Sequence, residues 1–191
     1  MKTQNQALQS VLDSVSEQRK LVQETFYYLD EEQLTKKPTQ EKWSALQCME
    51  HLNLCNLHYL TEIKKALPNL KSGDKDKAYK KGLIGGYMIK SMAPKNGTIT
   101  NPMKTFKNVR PLTEREEGAT VKAQPTFTDF FADLDEYEKI AKELEGKDIQ
   151  SAKVISLIGP LVKFKVGDAL LFMMAHNDRH ILQAINALQS T

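Results

Sequence analysis

Four long stretches of the sequence repeat apolar residues at helical spacing, and this repeat restricts the chain to a mainly helical fold. The first stretch, from about residue 4 to residue 29, has apolar residues alternately four and three positions apart, as in helices that pack along an antiparallel seam. The members of its stripe are Leu8, Leu12, Val15, Arg19, Val22, Phe26 and Leu29. Arg19 is the one polar member, and its side chain either extends out of the seam to solvent or points at a ligand between the helices.

Local signals predict where the other helices begin and end. A short turn of helix is expected at residues 30–34. Ser44 and Gln47 form a capping-box pattern that predicts the start of a second long helix, apolar on nearly all sides, which ends near Leu67. A third helix is expected from about residue 129 to 145, with Thr126 and Asp129 as its capping box, and a fourth from about residue 168 to 188. Four such helices predict an all-α fold, an up-down four-helix bundle, formed by residues 1–191 as a single domain.

The segment from residue 68 to residue 125 is the least regular part of the chain. Residues 78–92 have the pattern of a short helix, and prolines and glycines follow it, so we expect a long irregular connection between helices two and three. A connection of this length is either a lid or contains elements that the pattern misses. It holds 12 Lys and Arg against 5 Asp and Glu, which favours attraction of anions. Nucleic-acid surfaces usually show a denser basic stripe, so we do not expect nucleic-acid binding.

Composition excludes several other classes of protein. Of the 191 residues, 40% are hydrophobic and 27% charged, which is ordinary for a globular domain. The longest apolar run, residues 169–175, is far too short to cross a membrane, and no hydrophobic leader follows Met1. Cys48 and Cys55 are seven positions apart on one helix, about 10 Å, which is too far for a disulfide. These features predict a reduced, cytoplasmic protein.

The histidines give the first indication of chemistry. His176 and His180 are four residues apart, so both imidazoles lie on one face of the fourth helix, and that face is otherwise small or apolar. They are either ordinary polar helix residues or a metal-binding pair, since two buried neutral imidazoles cost free energy without a partner. His51, inside the buried second helix, would add a third nitrogen ligand. Three ligands leave an open coordination position, as in catalytic sites, and imidazole suits zinc, nickel, iron or copper.

Cys55 and His58 share a helix face with His51, so either side chain could approach the same cavity. The alternatives are that Cys55 is a small buried apolar residue and that His58 is a polar residue at the end of the helical bundle.

Other polar residues near the histidines each allow two interpretations. Glu50 and Asp178 point away from the expected ligands, so each is either a solvated surface charge or an outer partner of a histidine N–H. Gln183 either lines the cavity or packs. None of these residues is assigned a catalytic role.

Two blocks of sequence resemble a known family. The first comprises residues 29–34, 42–47 and 50–52 (LDEEQL, KWSALQ and EHL), and the second comprises residues 170–172, 176–180 and 183–185 (LLF, HNDRH and QAI). Together they resemble the entry to helix two and the last helix of the DinB-like superfamily of metal-binding four-helix bundles. This superfamily includes the YfiT-type proteins and bacterial thiol S-transferases.

The resemblance implies that His51, His176 and His180 bind a divalent transition metal, often zinc or nickel. Some relatives conjugate low-molecular-weight thiols to electrophiles, while others isomerise or hydrolyse small substrates. We therefore expect a metal-dependent enzyme that transfers a small-molecule thiol to a small electrophile. The alternatives are a metal-dependent hydrolase and a non-catalytic metal- or ligand-binding stress protein. Tyr27 and Tyr28 lie outside the seam of the first helix, which favours a homodimer.

Overall fold

The computed structural model describes residues 2–190 and is mainly helical, as predicted. Its α-helices are α1 (Gln4–Phe26), α2 (Glu31–Thr35), α3 (Ala45–Ala66), α4 (Leu83–Met92), α5 (Ala123–Glu143) and α6 (Val166–Gln189). Its strands are β1 (Lys153–Ser156) and β2 (Gly159–Lys165), and single 3₁₀ turns occur at Leu67–Asn69, Lys107–Val109 and Leu112–Glu114. None of the described helices is long and apolar enough to cross a membrane.

The capping signals explain some helix ends and miss others. The capping box of Ser44 and Gln47 is present at the start of α3, as predicted. The expected start of the third long helix near Asp129 is wrong, because α5 begins six residues earlier at Ala123. Its N-cap, Lys122, has no side-chain capping bond, and the Thr126 hydroxyl donates to the Lys122 carbonyl from inside the helix. The first turn therefore lacks the side-chain signal by which such starts are recognised.

The four long helices pack side by side, and each contacts two of the others: α1 and α3 both pack against α5 and α6. The core between them contains large side chains that are almost fully buried, and their removal from water is the main force holding the helices together. Among the largest are Leu46, Met49, Leu52, Ile63, Phe130, Leu134 and Tyr137.

The alternating up-down order expected from the sequence is wrong. Asn53, early in α3, donates to the Thr126 carbonyl early in α5, and Lys64, late in α3, pairs with Glu136 further along α5 at 3.1 Å. Helices α3 and α5 are therefore parallel. The connection between them, residues 67–122, is long enough to return the chain to the end where α3 began.

Contacts within two other pairs of helices, α1 with α5 and α3 with α6, give the direction of the remaining helices. The ring of Phe26 at the end of α1 stacks on Phe127 near the start of α5, so these helices are antiparallel. Tyr59 in α3 contacts Phe172 in α6, while the earlier His51 contacts the later His180, so α3 and α6 are also antiparallel. The order along the chain is up, down, down, up.

The all-α prediction is also corrected by a small sheet. Strands β1 and β2 pair antiparallel, with Val154 opposite Phe164, immediately before α6. Both of these side chains are buried on the same face. The signal was the period-two alternation in residues 161–165 (LVKFK), which is typical of a half-buried strand. The hairpin is short enough to be missed beside four long helical patterns.

The segment between α3 and α5 is anchored to the first turn of α6 by one buried carboxylate. Asp168 is 1% exposed. It accepts hydrogen bonds from the Tyr79 hydroxyl and from the Gly82 backbone N–H. The second bond fixes the start of α4, which packs against α6.

Two adjacent glycines in α4 provide a matched test of this anchor. A Cβ at Gly85 would lie 2.5 Å from an Asp168 carboxylate oxygen, whereas one at Gly86 would lie no closer than 3.4 Å to Lys81. We expect Gly85→Ala to destabilise the protein by about 2 kcal/mol through this clash, and Gly86→Ala to stabilise it by up to about 1 kcal/mol through helix propensity. Urea unfolding of both variants measures the difference, and equal effects would contradict the proposed close contact.

A second prediction concerns pH. Burial in α5 raises the pKa of Asp133 from its usual 3.8 to about 7, with Asp129 adding to the effect and Asn56 and Lys64 opposing it. The folded protein therefore holds this proton more tightly than the unfolded chain, so its contribution to stability falls as pH rises between these two values. We expect Asp133→Asn to remove that fall and to stabilise the protein at pH 8 by about 1–2 kcal/mol. Thermal unfolding across this range checks it; an unchanged pH profile would refute it.

Candidate metal centre

Three histidines from two helices meet at one end of the helical core. His51 lies in the second turn of α3, and His176 and His180 lie one turn apart in α6. All three are buried, and each offers a ring nitrogen such that these nitrogens lie within 4.8 Å of one another. The structure thus brings together all three residues that the sequence selected. Antiparallel packing of α3 on α6 places the beginning of one helix beside the last half of the other.

Hydrogen bonds orient two of the rings. His51 Nδ1 lies 2.6 Å from the carbonyl oxygen of Val109, and His180 Nδ1 lies 2.9 Å from Oε1 of Gln183. Since both acceptors lack a proton, each Nδ1 is assigned the N–H, which leaves the Nε2 lone pair available. His176 differs, because its Nδ1 is buried and has no hydrogen-bond partner.

Burial keeps the three imidazoles neutral. It lowers the pKa of His51 to about 4, although the Val109 carbonyl acts in the opposite direction. Burial also lowers the pKa values of His176 and His180 well below the usual range, and neighbouring histidines and Arg179 add to this effect. Neutral imidazole is the form that ligates metals.

This donor set fits a divalent cation. Three neutral nitrogens converge in a buried place, and a buried polar nitrogen without a partner costs free energy that a bound ligand would offset. Among residues 2–190, no other group of three or more His, Cys, Asp or Glu side chains comes this close together.

A cavity of about 560 Å³ opens beside the histidines. Its wall is mostly apolar and aromatic, and it includes Trp43, Tyr59, Met88, Met92, Met103, Phe106, Leu157, Ile158 and Phe172. Three charged residues also line it: Glu41, Lys104 and Arg179. The wall includes residues of α4 and of the loop after it. The segment between α3 and α5, residues 67–122, therefore covers the site and contains helix as well, and we call it the covering segment.

Cys55 is both a small buried residue and a neighbour of the cavity, the two alternatives raised by the sequence. Its side chain is buried and also lines the cavity, with Sγ 3.6 Å from Nε2 of His51. Burial raises the pKa of this thiol above its usual range, which favours the neutral form. Cys48 and Cys55 are both free, as predicted.

His58 and Arg19 lie away from the cavity. The half-buried His58 ring donates from Nε2 to the carbonyl of Ile155, 3.1 Å away, as expected of a polar residue outside the site. Arg19 extends out of the seam, the first of its two alternatives, and pairs with Asp135 at 2.5 Å.

The carboxylates near the motif also point elsewhere. Glu50 accepts a hydrogen bond from the backbone N–H of Leu112, and burial raises its pKa. It therefore holds a turn of the covering segment. Asp178 accepts a hydrogen bond from Gln18 at 2.7 Å. Gln183 lines the cavity, the first of its two alternatives, and it is also the outer partner of His180, a role that the sequence analysis offered only to Glu50 and Asp178.

Sequence analysis assigned no role in the site to several of its residues, among them Val109, Trp43 and Arg179. Val109 contributes through its backbone carbonyl, for which no side-chain signal exists. Trp43 lies with its ring centroid 5.1 Å from that of His51, and it entered the sequence analysis only as part of the KWSALQ block at residues 42–47. Arg179 lines the cavity, although its place next to His180 in α6 could have drawn attention to it.

The fold and the three-histidine group define a mainly helical protein whose buried site could hold a metal ion. The family model of the DinB superfamily matches residues 14–184, and the chain belongs to this superfamily. The match includes all three histidines. Comparison with curated proteins and with solved structures finds no match.

Proposed function

We propose that the protein binds a divalent transition metal, zinc or nickel, through His51, His176 and His180, within the four-helix bundle typical of its family. The observation that carries this proposal is the convergence of three buried neutral imidazoles within 4.8 Å of one another. Imidazole nitrogens are suitable ligands for these ions. Three protein ligands leave room for a further one from the cavity.

We further propose that the protein transfers a low-molecular-weight thiol to a small electrophile. A bound divalent cation lowers the pKa of a thiol, so that the nucleophilic thiolate form is available at neutral pH. The mainly apolar cavity wall suits an uncharged organic electrophile. The thiol sulfur forms a bond to the electrophilic carbon, the leaving group departs with its electron pair, and the thiol proton passes to solvent.

Thiol transfer is favoured over hydrolysis because no carboxylate of the described cavity wall is hydrogen-bonded to a histidine. Glu41 is the only carboxylate in the described cavity wall, and its hydrogen bond comes from the Thr39 hydroxyl and not from a histidine. Hydrolysis by an activated water normally benefits from a nearby general base. Attack by a thiolate does not need one.

The test is thiol conjugation with and without metal. Purified protein is stripped with a chelator, reloaded with zinc or nickel, and assayed with a panel of small thiols and 1-chloro-2,4-dinitrobenzene, which releases chloride on conjugation. We expect turnover to require metal and to be lost in His176→Ala but kept in the control His58→Ala. Undiminished conjugation after metal removal would refute the proposal. Thiol-independent ester cleavage would indicate the hydrolase, and retained metal without any turnover would indicate the non-catalytic alternative.

Two further parts of the proposal concern setting and assembly. We propose a cytoplasmic location, where small thiols are kept reduced and where the two free cysteines are stable.

We also propose a homodimer, because Tyr27 and Tyr28 are 76% and 88% exposed at the end of α1. Analytical ultracentrifugation of wild type and Tyr28→Glu tests this, and a wild-type monomer at all concentrations would exclude it.

A further inference from the structure

Arg179 is a buried cation without an acidic partner. The residue is only 6% exposed, and no ion pair in residues 2–190 includes it. Its Nη2 donates to the backbone carbonyl of Asn101, which leaves its other N–H groups without a partner among the described residues. None of its nitrogens is among the fully enclosed atoms of the described residues that lack a hydrogen-bond partner, and the residue lines the cavity, so its remaining N–H groups are open to a ligand there.

The surroundings of this guanidinium favour an anion. Arg179 lines the cavity beside the three histidines, none of which can offer it a negative charge. Lys104 adds a second positive charge to the wall, and Glu41, which is exposed, is its one acid. Guanidinium presents N–H donors in a planar fork that matches the two oxygens of a carboxylate.

We propose that Arg179 binds a carboxylate of the substrate, so that the preferred thiol is one whose carbon skeleton bears a carboxylate group. The cavity then holds two partners side by side: the anionic thiol at Arg179 and the histidines, and the electrophile against the apolar wall. The assignment to the thiol rests on the proposed transfer function. Binding of the carboxylate at Arg179 does not, and it can be measured without metal or turnover.

Trp43 provides the measurement. It is the only tryptophan of the chain and lines the cavity, so its fluorescence reports occupancy of the site. The probes are mercaptosuccinate, an anionic thiol, and 1-thioglycerol, a neutral thiol of similar size, titrated into chelator-treated full-length protein. We expect mercaptosuccinate to bind at least about tenfold more tightly in wild type, which is the effect of one charge-assisted hydrogen bond of about 1.4 kcal/mol or more.

Three variants assign the preference to one residue. Arg179→Gln is expected to abolish it, and Arg179→Lys, which keeps the charge but loses the fork, to reduce it. The matched control is Lys107→Gln, which removes an exposed cation from the covering segment outside the cavity wall and should leave the preference unchanged. If Arg179→Gln fails to fold by circular dichroism, Arg179→Lys decides.

Equal binding of the two thiols by wild type would overturn the inference, and so would a preference that survives in both Arg179 variants. The same titration in His180→Ala separates this inference from the proposed function. A preference retained in that variant supports the carboxylate site even if metal binding or conjugation fails. A preference lost there but kept in His58→Ala would assign it to the histidines instead.

Discussion

Wild-type protein should contain close to one equivalent of a divalent transition metal per chain, and His180→Ala should contain almost none. The variant removes one of three nitrogens that converge within 4.8 Å. It leaves two ligands, His51 on α3 and His176 on α6. Loss of a ligand from a three-nitrogen site should weaken metal affinity by at least about a hundredfold, since loss of an outer partner alone costs about 10–100-fold. Elemental analysis of freshly purified and of reconstituted protein measures it.

His58→Ala is the matched control for this experiment. It also removes a histidine from a helix of the core, but His58 contacts the Ile155 carbonyl and does not line the cavity. Its metal content should equal that of wild type. Equal metal contents in His180→Ala and wild type would show that the three histidines are not the metal site, and absence of metal from reconstituted wild type would show that the group is structural.

Replacing Asp168 by alanine should cause the largest loss of stability of any single polar substitution considered in this protein. The carboxylate is 1% exposed. Its removal leaves the buried Tyr79 hydroxyl and the half-buried Gly82 N–H without their acceptor. Each unsatisfied donor costs about 1–3 kcal/mol, so we expect a loss of about 3 kcal/mol in the free energy of unfolding. Chemical denaturation followed by circular dichroism measures it.

Tyr79→Phe is a milder variant for comparison, because it removes the hydroxyl donor and leaves the Asp168 carboxylate bonded to the Gly82 N–H. We expect about 1 kcal/mol for it. Glu145→Ala, an exposed acid near the end of α5, should change stability little. An Asp168→Ala variant as stable as Glu145→Ala would show that the covering segment does not depend on this anchor.

The sequence was sufficient for the parts of the protein that local pattern determines. The seven-residue stripe of α1 and the capping box at Ser44 predict helices that the structure has. The spacing of His176 and His180 predicts a shared face because helical geometry alone decides it. His51 could be added because the helix around it is apolar on nearly all sides and therefore buried.

The parts that could not be predicted depend on contacts between distant segments. The parallel arrangement of α3 and α5 follows from the route of the chain between them, which leaves no periodic signal. The outer partner of His51 is a backbone carbonyl at Val109, and any residue there could supply it. The role of Asp168 depends on Tyr79, which lies 89 positions away along the chain.

The hydrogen bond between His51 and the Val109 carbonyl joins one of the three converging histidines directly to the covering segment. The covering segment does more than close over the cavity, because its Val109 carbonyl also fixes which ring nitrogen of His51 carries the proton. Displacing residues near 109 to admit a substrate would release the ring. Occupancy of the ion site and order of this segment are therefore linked equilibria, and an ion that binds tightly should slow backbone amide exchange around residues 107–112. Substrates would then reach the histidines by displacing side chains of the cavity wall, while the backbone around Val109 stays in place.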